Sequence, residues 1–178
     1  LAGPVTAAAV ILSPKLNIPI LNDSKKLTQK QRYYLRPIIE KNAISFGVAF
    51  VYQKEIDKIN ILNASIRAMH LAIKKLEINP QFIVADGNHF PPFKKIPHKC
   101  IIKGDGKYQN IAAASILAKT YRDDYMIKIG SDFPEFKWNN NKGYPTRDHR
   151  AAIEKFGLTE HHRKSFRLLA NQIKINFK

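Results

Sequence analysis

Two acidic placements in this chain have the residue types and spacing to do chemistry. Asp86 closes a short apolar run, Phe82 to Ala85, and is followed by Gly87-Asn88. A carboxylate at the C-terminal end of a buried strand stands where α/β proteins commonly place reacting groups, and the Gly-Asn turn would let backbone approach a ligand. Asp-Gly is also an ordinary turn signal, so a turn-capping Asp is the competing reading. Asp123 and Asp124 stand at the end of an apolar stretch, just after Lys119-Thr120-Tyr121-Arg122. A carboxylate on a core helix is costly unless something pairs with it, either a metal ion or a cation such as Arg122 or Lys119. Adjacent residues on a helix diverge by about 100°, so at most one of the two faces a given site. The phase does not choose between them, and a surface ion pair of little energetic weight is the alternative.

Four loops set basic residues beside small polar ones: Ser24-Lys25-Lys26, Lys103 to Lys107, Lys142-Gly143-Tyr144 and His162-Arg163-Lys164-Ser165. Such loops can hold phosphates through charge, hydroxyl and backbone N–H together, although each alone is compatible with a solvated face. Tyr144, between Gly143 and Pro145, could stack on a base or sugar. His149, His161 and His162 have no nearby cysteine and a spacing unlike a zinc finger or zincin, so they are not read as a metal centre. Cys100, the single cysteine, lies in an apolar run and reads as a buried, inert thiol.

The elements that must position these residues follow from the apolar pattern. Val5 to Leu12 and Ser45 to Tyr52 read as strands, as do Phe82 to Ala85 and Lys99 to Lys103. Thr28 caps a predicted helix over Gln29 to Asn42, which Pro37 should kink or split. Lys54 to Lys58 makes a helical turn. Asn60 caps a helix with Leu62, Ile66, Met69, Ile73 and Leu76 on its apolar stripe. The glycine-punctuated loop Lys103 to Lys107 precedes a buried central helix of about twenty residues without Gly or Pro. The stretch after Asp132 reads as loop. Thr146 caps a helix ending at Phe156 before Gly157, and a last helix is expected over Lys164 to Asn176. Strands alternating with helices give an α/β class with a mixed sheet and a helical C-terminal third.

The 178 residues suffice for one domain. Lys and Arg number 30 against 14 Asp and Glu, a formal net charge of +16 spread along the whole chain. An excess of that size repels itself unless it faces something anionic, so nucleic acid is the first expected partner. A membrane-surface role is disfavoured, because no helix combines a basic face with exposed bulky apolar residues. No apolar run is long enough to span a bilayer, and no signal peptide is expected. The lack of disulfides fits a reducing cytoplasm.

Taken in order, several blocks resemble the type 2 ribonucleases H, specifically the bacterial ribonuclease HII family. They are L-A-G-P-V at Leu1 to Val5, N-D-S-K-K-L at Asn22 to Leu27, E-I-D-x-I-N-I-L-N-A at Glu55 to Ala64, and V-A-D-G-N at Val84 to Asn88. K-G-D-G-K at Lys103 to Lys107, I-A-A-A-S-I-L-A-K-x-x-R-D at Ile111 to Asp123, N-K-G-Y at Asn141 to Tyr144 and H-R-x-S-F at His162 to Phe166 complete the set. The resemblance implies a single RNase H-like catalytic domain over residues 1–178: a mixed sheet flanked by helices, with residues 146–178 as a C-terminal helical part. It implies endonucleolytic hydrolysis of the RNA strand of RNA–DNA hybrids, and cutting 5′ to single ribonucleotides in duplex DNA, leaving 5′-phosphomonoesters. A cytoplasmic setting and a monomeric state are expected. Four carboxylates hold two Mg²⁺ or Mn²⁺ ions in that family, and Asp86 and Asp123 match the third and fourth. Tyr144 matches a tyrosine that stacks at the RNA–DNA junction, and Lys25 a substrate-binding lysine. Lys107, Lys142 and Arg163 are expected phosphate contacts. The family's Asp-Glu pair and Gly-Arg-Gly segment precede L-A-G-P, whereas this sequence begins at Leu1. A missing N-terminal strand, weak Mg²⁺ binding and little cleavage are therefore expected of a polypeptide starting there.

Overall fold

In the computed structural model, which describes residues 1–16, 18–21 and 27–169, the run VTAAAVIL forms strand β1 (Val5–Leu12). Helix α1 (Gln29–Asn42) follows, its N-terminus closed by a capping box in which Thr28 and Gln31 exchange bonds. Strand β2 (Ala43–Val51), helix α2 (Gln53–Lys74), strand β3 (Ile83–Asp86) and strand β4 (His98–Ile101) come next. A 3₁₀ turn, Gly104–Gly106, leads into the long helix α3 (Gln109–Asp132). A second 3₁₀ turn, Pro134–Phe136, the short helix α4 (Trp138–Asn141) and helix α5 (Arg147–Phe156) complete the described elements.

The chain divides into two compact units. One comprises Leu1–Val5, Val51–Ala64 and the residues from Arg122 onward; the other comprises Thr6–Phe50 and Ser65–Tyr121. In the second unit, Val10, Leu12, Leu35, Ile39, Ile116 and Leu117 bury together. A separate cluster there joins Ile73, Ile83, Ala85, Phe90 and Phe93. In the first unit Ala2, Met126, Ile129, Phe136, Trp138 and Ile153 form the core. Burying each large apolar side chain contributes about 1.5–3 kcal/mol, so the two large aromatics at 136 and 138 dominate this small core.

β1 pairs with β2, and β3 pairs parallel with β4 in the register Asp86↔Ile101. The α/β class holds, but among the described residues the expected sheet is two pairs of strands. A cavity of about 560 Å³ is lined by Thr6 to Ile11 of β1 and Ile83 to Asp86 of β3, within the second unit. Because consecutive residues of β1 border it, an edge of the strand is turned to the cavity.

Four expectations are corrected. α1 runs on through Pro37; burial of Leu35 and Ile39 on either side holds a helix that the lost N–H and ring clash would otherwise break. α2 breaks at Asn60, where φ is 66° and Asn60 Oδ1 accepts the Asn63 N–H at 3.0 Å, so the cap lies where its sequence placed it. Its most buried residues are Ile56, Ala64, Ala68 and Ala72; of the expected stripe Ile73 is buried and Ile66, Met69 and Leu76 are half-buried, while Leu62 is 58% exposed. Small residues win because β2 comes so close: a Cβ on Gly47 would lie 2.3 Å from the Ala72 carbonyl oxygen. The stretch after Asp132 is ordered by its aromatic core. Residues 164–169 form turns and bends, and the remainder of the expected last helix lies outside the described residues.

Candidate carboxylates and nucleic-acid interface

Asp86 ends β3 with an exposed side chain. One of its carboxylate oxygens accepts the Gly104 N–H at 2.8 Å. That bond depends on the tight packing of the Gly104–Gly106 turn. A Cβ at Gly104 would sit 2.5 Å from Ile111 Cδ1 and 3.3 Å from Ile101 Cβ. Only glycine brings this amide so close to the strand end. Gly87, with φ of 105° and nothing within 4 Å of a Cβ, leaves the other side open. A hard divalent cation takes oxygen ligands, often one or two carboxylates with water and phosphate completing the shell, and the Asp86 carboxylate has that chemistry. Among the described residues no group of three or more His, Cys, Asp or Glu side chains gathers to hold a metal ion.

In the part of α3 that belongs to the other unit, the two neighbouring carboxylates differ in burial. Asp123 is 4% exposed, whereas Asp124 is only half-buried. Arg122 is committed elsewhere: Nε donates to Pro4 O at 3.2 Å and Nη2 to Ala2 O at 3.4 Å. Its guanidinium lies 5.0 Å from the centroid of the Tyr144 ring.

Tyr144 sits at the tip of a turn and is 50% exposed. Lys142 and Arg163, read from the sequence as phosphate contacts, are both buried. Lys142 Nζ donates to the Asn139 carbonyl. Arg163 Nε donates to Gly3 O at 2.9 Å and Nη2 to Pro4 O at 3.0 Å. Burial, together with the neighbouring Arg122 charge, lowers the Arg163 pKa to about 10, and it remains a cation at neutral pH. These two cations therefore tie main chain together. Lys107 is exposed, at the end of the Gly104–Gly106 turn, and Lys25 lies outside the described residues.

Sequence reasoning missed three residues around this surface. Asp57 accepts from Lys164 N and Ser165 N, each at 2.9 Å, and from Ser165 Oγ at 2.6 Å, shaping the segment after Arg163. His149 and His162 are buried side by side with their Nε2 atoms 3.2 Å apart. Burial lowers the pKa of both; for His162, burial and then the neighbouring His149 bring it to about 4. Thirteen residues separate the two histidines in the sequence, and no local pattern announces their pairing.

The Ribonuclease HII family model matches residues 1–169. The chain is 62% identical to the ribonuclease HII of Christiangramia forsetii over 99% of its own length and 89% of that relative. It is 56% identical to the ribonuclease HII of Porphyromonas gingivalis, over 94% of the chain and 83% of the relative. Among solved structures, the ribonuclease H2 of Pyrococcus horikoshii superposes with a TM-score of 0.77 at 26% identity, covering 94% of this chain and 88% of that one. The architecture of strands and helices is thus RNase H-like. A match through all the described elements, with identity above half to bacterial relatives, places the chain in the ribonuclease HII family.

Proposed function

We propose that the protein is a ribonuclease H that hydrolyses the RNA strand of RNA–DNA hybrids and cuts 5′ to single ribonucleotides in duplex DNA, leaving 5′-phosphomonoesters. The observation that carries this reading is Asp86. Its carboxylate stands exposed at the end of a parallel strand, with one oxygen held by the Gly104 amide. Membership of the family supports it. Asp86 and Asp123 are the proposed ligands of Mg²⁺ or Mn²⁺, with water and substrate phosphate filling further positions. Such an ion, when bound, lowers the pKa of the attacking water and offsets charge on the leaving 3′-oxygen. The protein's part is to fix the carboxylates and the nucleic acid. Lys25 and Lys107 are proposed to meet phosphates, and Tyr144 to stack at the ribonucleotide junction. Lys142 and Arg163, whose cations serve main-chain carbonyls, support the loops beside Tyr144. The formal charge of +16 favours a polyanionic partner. The expected setting is the cytoplasm, with the protein acting as a monomer.

Asp123→Asn and Asp124→Asn test the assignment on α3. Asp123→Asn should abolish cleavage of a hybrid while leaving its binding intact, and Asp124→Asn should still cut. Equal loss in both, or undiminished cutting by Asp123→Asn, would remove Asp123 from the metal ligands.

A further inference from the structure

The half-exposed Tyr144 ring belongs to a stretch of main chain that is held on both sides. Gly143 has φ of 76°, and a Cβ there would lie 2.7 Å from Ala2 O, so the turn closes directly on that segment. Gly143 N–H donates to Asn141 Oδ1 at 2.8 Å, and Tyr144 N–H donates to Asn141 O at 2.9 Å. The Tyr144 carbonyl takes two donors, Thr146 N–H at 2.8 Å and His149 Nδ1 at 2.9 Å. Arg122, anchored on Ala2 and Pro4, supports the ring itself.

The His149 bond is fixed by the buried Trp138 and His162. Trp138 Nε1–H donates to His149 Nε2 at 3.0 Å. An indole N–H is a donor and nothing else, so His149 Nε2 is the acceptor and its proton sits on Nδ1, facing Tyr144 O. His162 agrees from the other side. Its Nδ1 accepts Thr159 N–H at 3.0 Å, with Thr159 Oγ1 also at 3.0 Å, which leaves the His162 proton on Nε2, facing His149. Thr159, His162, His149 and Tyr144 thus form one directed run of hydrogen bonds, in which Trp138 Nε1–H at 3.0 Å and His162 Nε2–H at 3.2 Å share the single lone pair of His149 Nε2. A protonated His149 would set three N–H groups against one another with no acceptor between them.

We infer that His149 is a positioning residue for Tyr144: its Nδ1–H, oriented by Trp138 and His162, holds the Tyr144 carbonyl and so presets the exposed ring for stacking on the nucleic acid. This rests on the stacking role proposed above for Tyr144. A preset ring loses less freedom on binding, so the effect belongs in substrate affinity and KM and leaves kcat alone.

Two substitutions at one position separate the donor from the bulk. In His149→Asn the side-chain amide can replace Nδ1 and donate to Tyr144 O; in His149→Gln the amide instead replaces Nε2, and the Tyr144 bond is lost. The readout is affinity for a fluorescent DNA duplex carrying one ribonucleotide, without divalent metal so that turnover does not intervene. Tyr144→Ala should weaken binding about tenfold, within the range of a lost base–aromatic stack. His149→Gln should weaken it about three- to tenfold and His149→Asn by less than about twofold. In a Tyr144→Ala background the two His149 variants should bind alike. Equal binding by His149→Asn and His149→Gln, with Tyr144→Ala still impaired, overturns the inference and leaves the stacking reading standing. Unimpaired binding by Tyr144→Ala overturns the stacking reading and the inference with it. Nitrogen-15 shifts of the unsubstituted protein give a readout that no folding defect can mask. A protonated Nδ1 and bare Nε2 on His149 are expected, and the opposite tautomer overturns the inference.

Discussion

Acidification should destabilise the fold through His162 before most carboxylates titrate. The ordinary histidine pKa of 6.5 falls to about 4 in the folded protein, through burial first and the neighbouring His149 second. As pH drops, the unfolded chain therefore takes up the proton first, and stability is lost from about 6.5 down to about 4 and levels off below. At about 1.4 kcal/mol per pH unit the whole gap is worth about 3 kcal/mol, of which about 2 is spent by pH ~5. His149, also shifted downward by burial, adds in the same direction. His162→Asn supplies the control, since Asn can accept the Thr159 N–H where Nδ1 did and does not titrate. Urea unfolding followed by the single tryptophan, Trp138, across about pH 7.5 to 5 gives the stabilities. The native protein should lose about 2 kcal/mol more than the variant over that range, whatever offset the smaller side chain introduces. Parallel curves would refute the neutral, directed histidine pair.

Gly104→Ala should cost about 1–3 kcal/mol by overpacking against Ile111 and Ile101, read by denaturant unfolding; no loss would mean that Ile111 gives way freely. Asp57→Ala hands two exposed backbone N–H groups and the Ser165 hydroxyl to water, and about 0.5–1.5 kcal/mol of stability should go with them, seen as a lowered Tm. Affinity for an RNA–DNA hybrid should fall linearly on a log–log plot against salt, with a slope near −0.9 for each phosphate neutralised; a flat plot would remove the basic surface from the account.

The strands and the central helix were legible because long apolar runs between turn signals leave few alternatives. β1 and β2 fall within two residues of their expected bounds, and α3 spans Gln109–Asp132. On α2 the expected stripe holds at Ile73, with Met69 and Leu76 packed beside it, but fails at Leu62, and close approach by β2 rewards the alanines that side-chain size did not suggest. Phe136 and Trp138 sat in a stretch with no helical or strand period, so their burial had no pattern to betray it. Charge alone did not reveal that Lys142 and Arg163 are buried. A cation in a loop suggests phosphate, but Lys142 Nζ also meets the Asn139 carbonyl three residues away, and Arg163 the Gly3 and Pro4 carbonyls far off in the sequence. Asp86 was visible as a strand-end carboxylate, but its dependence on Gly104 was not, since eighteen residues separate donor from acceptor.

The central claim is a cut placed by a ribonucleotide and dependent on a strand-end carboxylate. The direct measurement follows a 5′-labelled DNA duplex containing one ribonucleotide, incubated with the full-length gene product, unsubstituted or as Asp86→Asn, in Mg²⁺ or Mn²⁺, with binding measured in parallel. The account predicts a single cut on the 5′ side of the ribonucleotide by the unsubstituted protein, and none by Asp86→Asn despite equal binding. Binding without cutting by the unsubstituted protein, or undiminished cutting by Asp86→Asn, would contradict it.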